Sequence, residues 1–116
     1  MSVLTIYHNP RCSKSRQTLT IIEESGVEPI VVNYLETPPD EATLRMLAGR
    51  LQKRPKDFIR RGEQDFKDLG LKDKLEDDNA IFAAMASHPK LIERPIVVKG
   101  DTAVLGRPPE NVKTLL

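Results

Sequence analysis

The chain has 116 residues, of which 39% are hydrophobic and 30% are charged, the composition of a globular protein of about one domain. A formal net charge of +1 and an aromatic content of 4% argue against a general nucleic-acid binder, which needs a basic surface or stacking aromatic rings. No apolar run reaches membrane-spanning length, and the single cysteine excludes an internal disulfide framework. The two histidines lie far apart in the sequence and have no ligand-like spacing, so we expect no metal site.

The first third of the chain predicts a strand, a helix and a second strand. Val3–Tyr7 is rich in strand-forming residues, and no basic segment precedes it as in a signal peptide, so we expect a cytoplasmic protein. The apolar spacing over Ser13–Ser25 indicates a helix that Gly26 ends, and Pro29–Tyr34 contains the second strand. These three elements predict a βαβ unit with parallel strands and a right-handed crossover.

The middle of the chain predicts helices and no strand. Their expected starting points are Asp40, Pro55, Gln64 and either Asp77 or Asp78, and the last of these helices ends before Pro89. The helix that begins at Pro55 is expected to run through Arg60 and Arg61. All of these segments fall within about residues 40–88, which we treat as a helical insertion.

The last part of the chain predicts a hairpin and a final helix. Ile96–Val98 and Ala103–Leu105 are strands joined by a tight turn, and the last helix carries Val112, Leu115 and Leu116 on one face. The element order is therefore βαβ, a helical insertion between the second and third strands, and ββα. This order predicts an α/β fold with a thioredoxin-like core, in a single domain over residues 1–116.

Cys12 is the strongest candidate for chemistry. It falls just after the first strand, at the start of the first helix, where unpaired backbone N–H groups favour an anion. The cationic residues Arg11, Lys14 and Arg16 are close in sequence, and such surroundings lower a cysteine pKa from about 8.5 to about 3.5–7.5. The alternative is a small buried apolar residue, but the loop position and the charges favour a nucleophile.

Ser15 stands where a dithiol oxidoreductase would carry its second cysteine. An oxidised Cys12 must therefore be resolved by an external thiol. The Ser15 hydroxyl is a candidate donor to the thiolate, and an ordinary first-turn helix serine is the alternative. A tyrosine phosphatase of low molecular weight is excluded because Thr18, not arginine, lies six positions after Cys12.

Three arginines are candidate oxyanion ligands, since a guanidinium offers charged bidentate donors. Arg94 and Pro95 precede the third strand, where thioredoxin-like proteins commonly carry a cis proline that faces the catalytic cysteine, so Pro95 is a cis-proline candidate. Arg107 follows the fourth strand, and Arg60 lies near the end of the short helix after Pro55. Taken singly, each arginine is better explained by a solvated surface position.

At these residues the sequence closely resembles the glutaredoxin-coupled arsenate reductases. The matching segments are Tyr7–Arg16, Tyr34–Pro39, Arg94–Val98 and Gly106–Pro108. The resemblance implies a Cys12 nucleophile that attacks arsenate and Arg60, Arg94 and Arg107 as substrate-binding residues. It also implies that His8 is a nearby cation that favours the thiolate, for which an ordinary loop histidine is nearly as good an interpretation of the sequence. Glutathione as a co-substrate, glutaredoxin as a protein partner and the absence of a bound cofactor are implied as well. We further expect a monomer.

Two other functions stay open. The best-known members of that family have Gly-Thr where this chain has Ser13-Lys14, which leaves room for a glutathione-linked monothiol redox protein with no arsenate substrate. The related Spx-type regulators, which bind RNA polymerase, share the fold and suggest a binding module. Many of them carry a Cys-x-x-Cys switch, and Ser15 argues against one in this chain.

Overall fold

The computed structural model describes residues 3–116, which divide into two compact units. One unit takes in the chain up to Thr37 and from Arg94 to Leu116, and the other comprises Pro38–Glu93. The second unit corresponds to the predicted helical insertion but is wider than residues 40–88. The prediction of a single domain over residues 1–116 stays a prediction.

The first unit is an α/β structure built on a four-stranded sheet. Its elements are β1 (Leu4–His8), α1 (Ser13–Glu24), β2 (Ile30–Asn33), β3 (Ile96–Lys99) and β4 (Thr102–Leu105), with a 3-10 segment at Pro109–Leu115. The strand order is β2-β1-β3-β4, with β1 parallel to β2 and antiparallel to β3, and β3 antiparallel to β4. This is the βαβ…ββα arrangement that the sequence predicts.

One face of this sheet carries the core of the first unit. Alternation along β1 turns Leu4 and Ile6 towards Ile22 of α1, and Val112 and Leu115 close the same cluster. The last segment forms a 3-10 helix rather than the expected α-helix. Proline stands at both position 108 and position 109, so neither of these residues has a backbone N–H to donate.

The second unit is helical. It contains α2 (Glu41–Leu51), α3 (Gln64–Asp68) and α4 (Asp78–Ser87), with 3-10 turns at Pro55–Asp57, Leu71–Lys74 and Pro89–Leu91. Asp40 caps α2 by accepting from the Thr43 N–H at 2.8 Å, and Asp77 caps α4 by accepting from the Ala80 N–H at 3.2 Å. None of the helices described in residues 3–116 is long and apolar enough to cross a membrane.

The helix predicted from Pro55 through Arg60 and Arg61 is wrong beyond its first turn. It ends at Asp57, and Ile59 instead forms an antiparallel bridge with Ile92. The Arg60 N–H donates to the Leu91 carbonyl at 2.7 Å. The backbone groups that a longer helix would need are bonded to residues more than thirty positions away in the sequence. The local sequence pattern that predicts a helix contains no information about such distant partners.

We expect Ile22→Ala to destabilise the protein by about 2–5 kcal/mol, because Ile22 is fully buried in the core of the first unit. Ile30→Ala is the matched control, since Ile30 lies on β2 with 53% of its surface exposed and its loss should cost under about 1 kcal/mol. Urea denaturation followed by circular dichroism measures both. Equal costs for the two variants would contradict this assignment of the core.

Candidate active site

Cys12 lies at the N-cap of α1, in the loop that follows β1. Its side chain is half-buried and its thiol is free. The loop is fixed from both sides: the Cys12 N–H donates to the Asn9 carbonyl at 3.0 Å, and the Cys12 carbonyl accepts from the Arg16 N–H at 3.0 Å. The sulfur is therefore presented at the end of a helix whose first N–H groups have no intrahelical partner.

The pKa of the Cys12 thiol is lowered from its ordinary value. Burial is the largest single influence and raises the pKa, but the backbone N–H of Ser15, the guanidinium of Arg94 and the backbone N–H of Lys14 together outweigh it. The cation that acts on the sulfur is thus Arg94, which is distant in the sequence. Among the neighbouring cations, Arg16 donates to the Pro10 carbonyl at 2.9 Å and so braces the loop.

The sequence suggested that Ser15 donates to Cys12 through its hydroxyl. In the structure Ser15 acts on Cys12 through its backbone N–H instead. The side chain is fully buried, and its Oγ accepts from the Asn9 N–H at 3.0 Å and lies 2.6 Å from Nδ1 of His8. The Ser15 hydroxyl is therefore bonded to Asn9 and His8. The contribution of Ser15 to the sulfur is the N–H of the first helical turn.

His8 does not supply the positive charge that the family resemblance implies. Its side chain is 7% exposed, and its pKa is lowered from 6.5, first by burial and then by the positive charge of Arg16, against a smaller opposing effect of Glu23. The imidazole is therefore neutral at pH 7. Its contacts are satisfied when Ser15 donates to Nδ1 and the ring proton lies on Nε2. His8 thus supports the loop from below.

The sheet topology brings the segments that carry Arg94, Arg107 and Cys12 to the same end of the strands. Because β1 and β3 are antiparallel, the end of β1 lies beside the start of β3, with Tyr7 opposite Ile96. The end of β4 lies beside the same start, with Leu105 opposite Ile96. A guanidinium nitrogen of Arg107 is 3.5 Å from the Arg94 carbonyl.

Pro95 follows Arg94 through a cis peptide bond, the isomer for which it was a candidate, and a second cis bond joins Arg107 to Pro108. The sequence did not single out this second bond. Both bonds lie directly after an arginine of the candidate site.

Arg60 lies in the second unit and is held by two carboxylates. Its guanidinium donates to Glu63 at 3.2 Å and to Glu93 at 2.9 Å, and its side chain is 25% exposed. The adjacent Arg61 is exposed and donates to the Lys56 carbonyl at 3.1 Å. Only Arg60 of this pair is therefore fixed by acidic side chains.

Asn9 is a site residue that sequence reasoning missed. It is buried, its side-chain oxygen accepts from the Arg11 N–H at 3.0 Å, and its backbone carbonyl accepts from the Cys12 N–H at 3.0 Å. The signal was present, since Asn before Pro is typical of a turn in which the side chain replaces a backbone acceptor. Within residues 3–116 no group of three or more His, Cys, Asp or Glu side chains could hold a metal ion.

The sequence matches the ArsC family over residues 7–115, from the end of β1 to the last segment. The chain belongs to the ArsC family. The matched region includes every residue of the candidate site described above. It spans both compact units, so the helical insertion is part of the ArsC pattern.

Similar proteins include arsenate reductases over their full length. The uncharacterized protein YfgD of Escherichia coli K12 is 53% identical over 108 residues, which cover 92% of this chain and 91% of YfgD. An arsenate reductase of Neisseria meningitidis serogroup A is 43% identical over 117 residues and is covered completely, as is this chain. The solved structure of an arsenate reductase from Vibrio cholerae has a TM-score of 0.95 and 48% identity, covering 99% of this chain and 98% of that one.

We expect Arg94→Ala to raise the pH of half-maximal Cys12 alkylation by about one unit, because the variant loses the cation that favours the thiolate. Iodoacetamide labelling read by mass spectrometry reports this site alone, since the chain has one cysteine. Arg11→Ala is the matched control and should behave as the parent protein. An unshifted profile in Arg94→Ala would contradict the assigned contact.

His8 should make stability depend on pH above the range in which carboxylates titrate. A folded-state pKa below the unfolded value of 6.5 means that the unfolded chain binds the proton more readily, so stability is full above pH 6.5 and falls as the pH decreases. Urea midpoints at pH 7.5 and pH 5.5 measure this loss. His8→Asn, whose oxygen can replace Nδ1 as acceptor, should show a smaller difference, and an equal difference would refute the role of His8.

Proposed function

We propose that this protein is a cytoplasmic arsenate reductase that uses Cys12 as its nucleophile. The observation that carries the proposal is a cysteine at a helix N-terminus with a lowered pKa and a guanidinium acting directly on its sulfur. The same combination that stabilises a thiolate also attracts an oxyanion to it. Full-length similarity to proteins named arsenate reductase supports arsenate as that oxyanion.

In the first step the Cys12 thiolate attacks arsenic and displaces one oxygen as water or hydroxide, forming a sulfur–arsenic bond. Arg94 is placed to neutralise the oxyanion, since its guanidinium already acts on the sulfur. Arg107 is the second candidate ligand, because its guanidinium lies beside the Arg94 carbonyl. A neutral His8 does not compete with the arginines for the anion.

Arg60 is the third oxyanion ligand in this proposal, on the basis of the family resemblance. Its guanidinium is engaged by Glu63 and Glu93, so binding an oxyanion requires it to share or exchange these carboxylates. The two carboxylates orient the Arg60 guanidinium and balance its charge before an oxyanion binds.

The reduction needs two external thiols, because the chain has no second cysteine. Glutathione displaces another oxygen from arsenic, and a glutaredoxin thiolate then attacks the glutathione sulfur. As the new S–S bond forms between glutaredoxin and glutathione, the bond between the glutathione sulfur and arsenic breaks and its electron pair stays on arsenic, which passes from As(V) to As(III). Water then displaces the Cys12 sulfur from arsenic, which releases arsenite and restores the free thiol. The cytoplasm supplies glutathione for this chemistry, and no bound cofactor is required.

The test is arsenate-dependent NADPH oxidation by the purified protein with glutathione, glutaredoxin and glutathione reductase. We expect turnover that Cys12→Ser abolishes, because a serine hydroxyl is not ionised near neutral pH. Omitting glutaredoxin should also stop turnover. Turnover that persists in Cys12→Ser would refute the nucleophile, and no turnover by the folded parent protein would refute the substrate.

Adjacent arginines provide a matched pair for the third ligand. Arg60→Ala should raise KM for arsenate about tenfold or more, since it removes a charged donor to the oxyanion. Arg61→Ala should leave KM unchanged, because Arg61 is exposed and donates to a backbone carbonyl. Equal effects in the same assay would show that the second unit contributes general charge and no specific ligand.

A further inference from the structure

Thr18 is a buried polar residue that the chemistry above does not use. It lies on α1 with no exposed surface. Its hydroxyl donates to the Lys14 carbonyl at 2.8 Å and lies 3.4 Å from the Gly106 carbonyl. One side chain therefore joins the first turn of α1 to the segment that follows β4.

The Lys14 carbonyl belongs to the same peptide group as the Ser15 N–H. Among the interactions that lower the pKa of Cys12, that N–H is the largest. A hydrogen bond accepted at a peptide oxygen polarises the group and strengthens its N–H as a donor. The Thr18 hydroxyl thus acts on the Cys12 sulfur through a single peptide group.

Gly106 links the segments that carry Arg94 and Arg107 to Thr18. Its N–H donates to the Pro95 carbonyl at 2.9 Å. A Cβ at position 106 would lie 2.5 Å from Thr18 Oγ1 and 2.7 Å from Pro95 Cγ, both closer than real Cβ contacts allow. Only glycine fits where these three segments meet, and Arg94 and Arg107 are the chain neighbours of Pro95 and Gly106.

We propose that Thr18 is a positioning residue that sets the Ser15 N–H against Cys12 and holds the segments that carry Arg94 and Arg107 at a fixed distance from it. For the sulfur, the proposal depends only on the contacts of α1. For the oxyanion, it rests on the proposed arsenate chemistry. Thr18 itself touches neither the sulfur nor the substrate in this role.

The test compares Thr18→Val, which has nearly the same shape but no hydroxyl, with Thr18→Ser, which keeps the donor. Thr20→Val is the matched control, because the Thr20 hydroxyl makes the same type of bond to the Arg16 carbonyl at 3.0 Å on an exposed face. The readouts are the pH profile of Cys12 alkylation, the kcat and KM for arsenate, and the urea midpoint.

In Thr18→Val we expect the pH of half-maximal alkylation to rise by about 0.5 units and kcat/KM for arsenate to fall about tenfold. Thr18→Ser and Thr20→Val should match the parent protein in alkylation profile. A profile in Thr18→Val that equals that of the parent would overturn the proposal, as would an equal shift in Thr20→Val. If Thr18→Val does not fold, Thr18→Ala takes its place with the same readouts and the same criteria.

Gly106→Ala tests the junction from its other side. It should lower kcat/KM for arsenate, whereas Gly62→Ala, with no atom within 4 Å of its added Cβ, should not. Unchanged kinetics in Gly106→Ala would overturn the positioning of the arginine segments. The alkylation profile needs no arsenate, so a parent protein that fails to turn over arsenate would refute the substrate and leave the role of Thr18 to be decided by the thiol.

Discussion

The candidate site depends on one balance, the stabilisation of the Cys12 thiolate against the partial burial of its side chain. Burial is the largest influence on this thiol and opposes ionisation, so the fold must supply compensating donors. Two of them are N–H groups at the start of α1, and the third is Arg94. None of these would act on the sulfur if the loop between β1 and α1 were free to move, which explains its many internal hydrogen bonds.

The loop is held by buried polar contacts. The buried Asn9 side chain accepts from the Arg11 N–H, and the Ser15 hydroxyl accepts from the Asn9 N–H and contacts the neutral ring of His8. Thr18 adds a third support one turn further along α1. Buried polar groups are costly unless each is satisfied, and a satisfied set fixes a single arrangement of the backbone. Here that arrangement presents Cys12 to Arg94.

Much of the fold was predictable because its signals are local. The strand-forming run before Cys12, the caps at Asp40 and Asp77 and the hairpin between β3 and β4 all involve neighbouring residues. The prediction that the helix from Pro55 continues through Arg61 was wrong, because Ile59 forms a backbone bridge with Ile92, which is distant in sequence. The structure also differs from the predicted cationic role of His8 and from the predicted bond of the Ser15 hydroxyl to the thiolate. Both depend on which side chains are buried together, and short sequence spacings do not show this.

The sequence by itself determined that one thiol stands at a helix start, that no second cysteine can resolve it and that the chain alternates as a thioredoxin-like core with a helical insertion. These follow from residue types and short spacings. Only the tertiary structure decided that Arg94 is the cation on the sulfur, that His8 is neutral and that Thr18, Pro95 and Gly106 meet. The antiparallel pairing of β1 with β3 makes neighbours of segments about ninety residues apart, the hairpin adds β4 to them, and burial then sets the charges of their side chains.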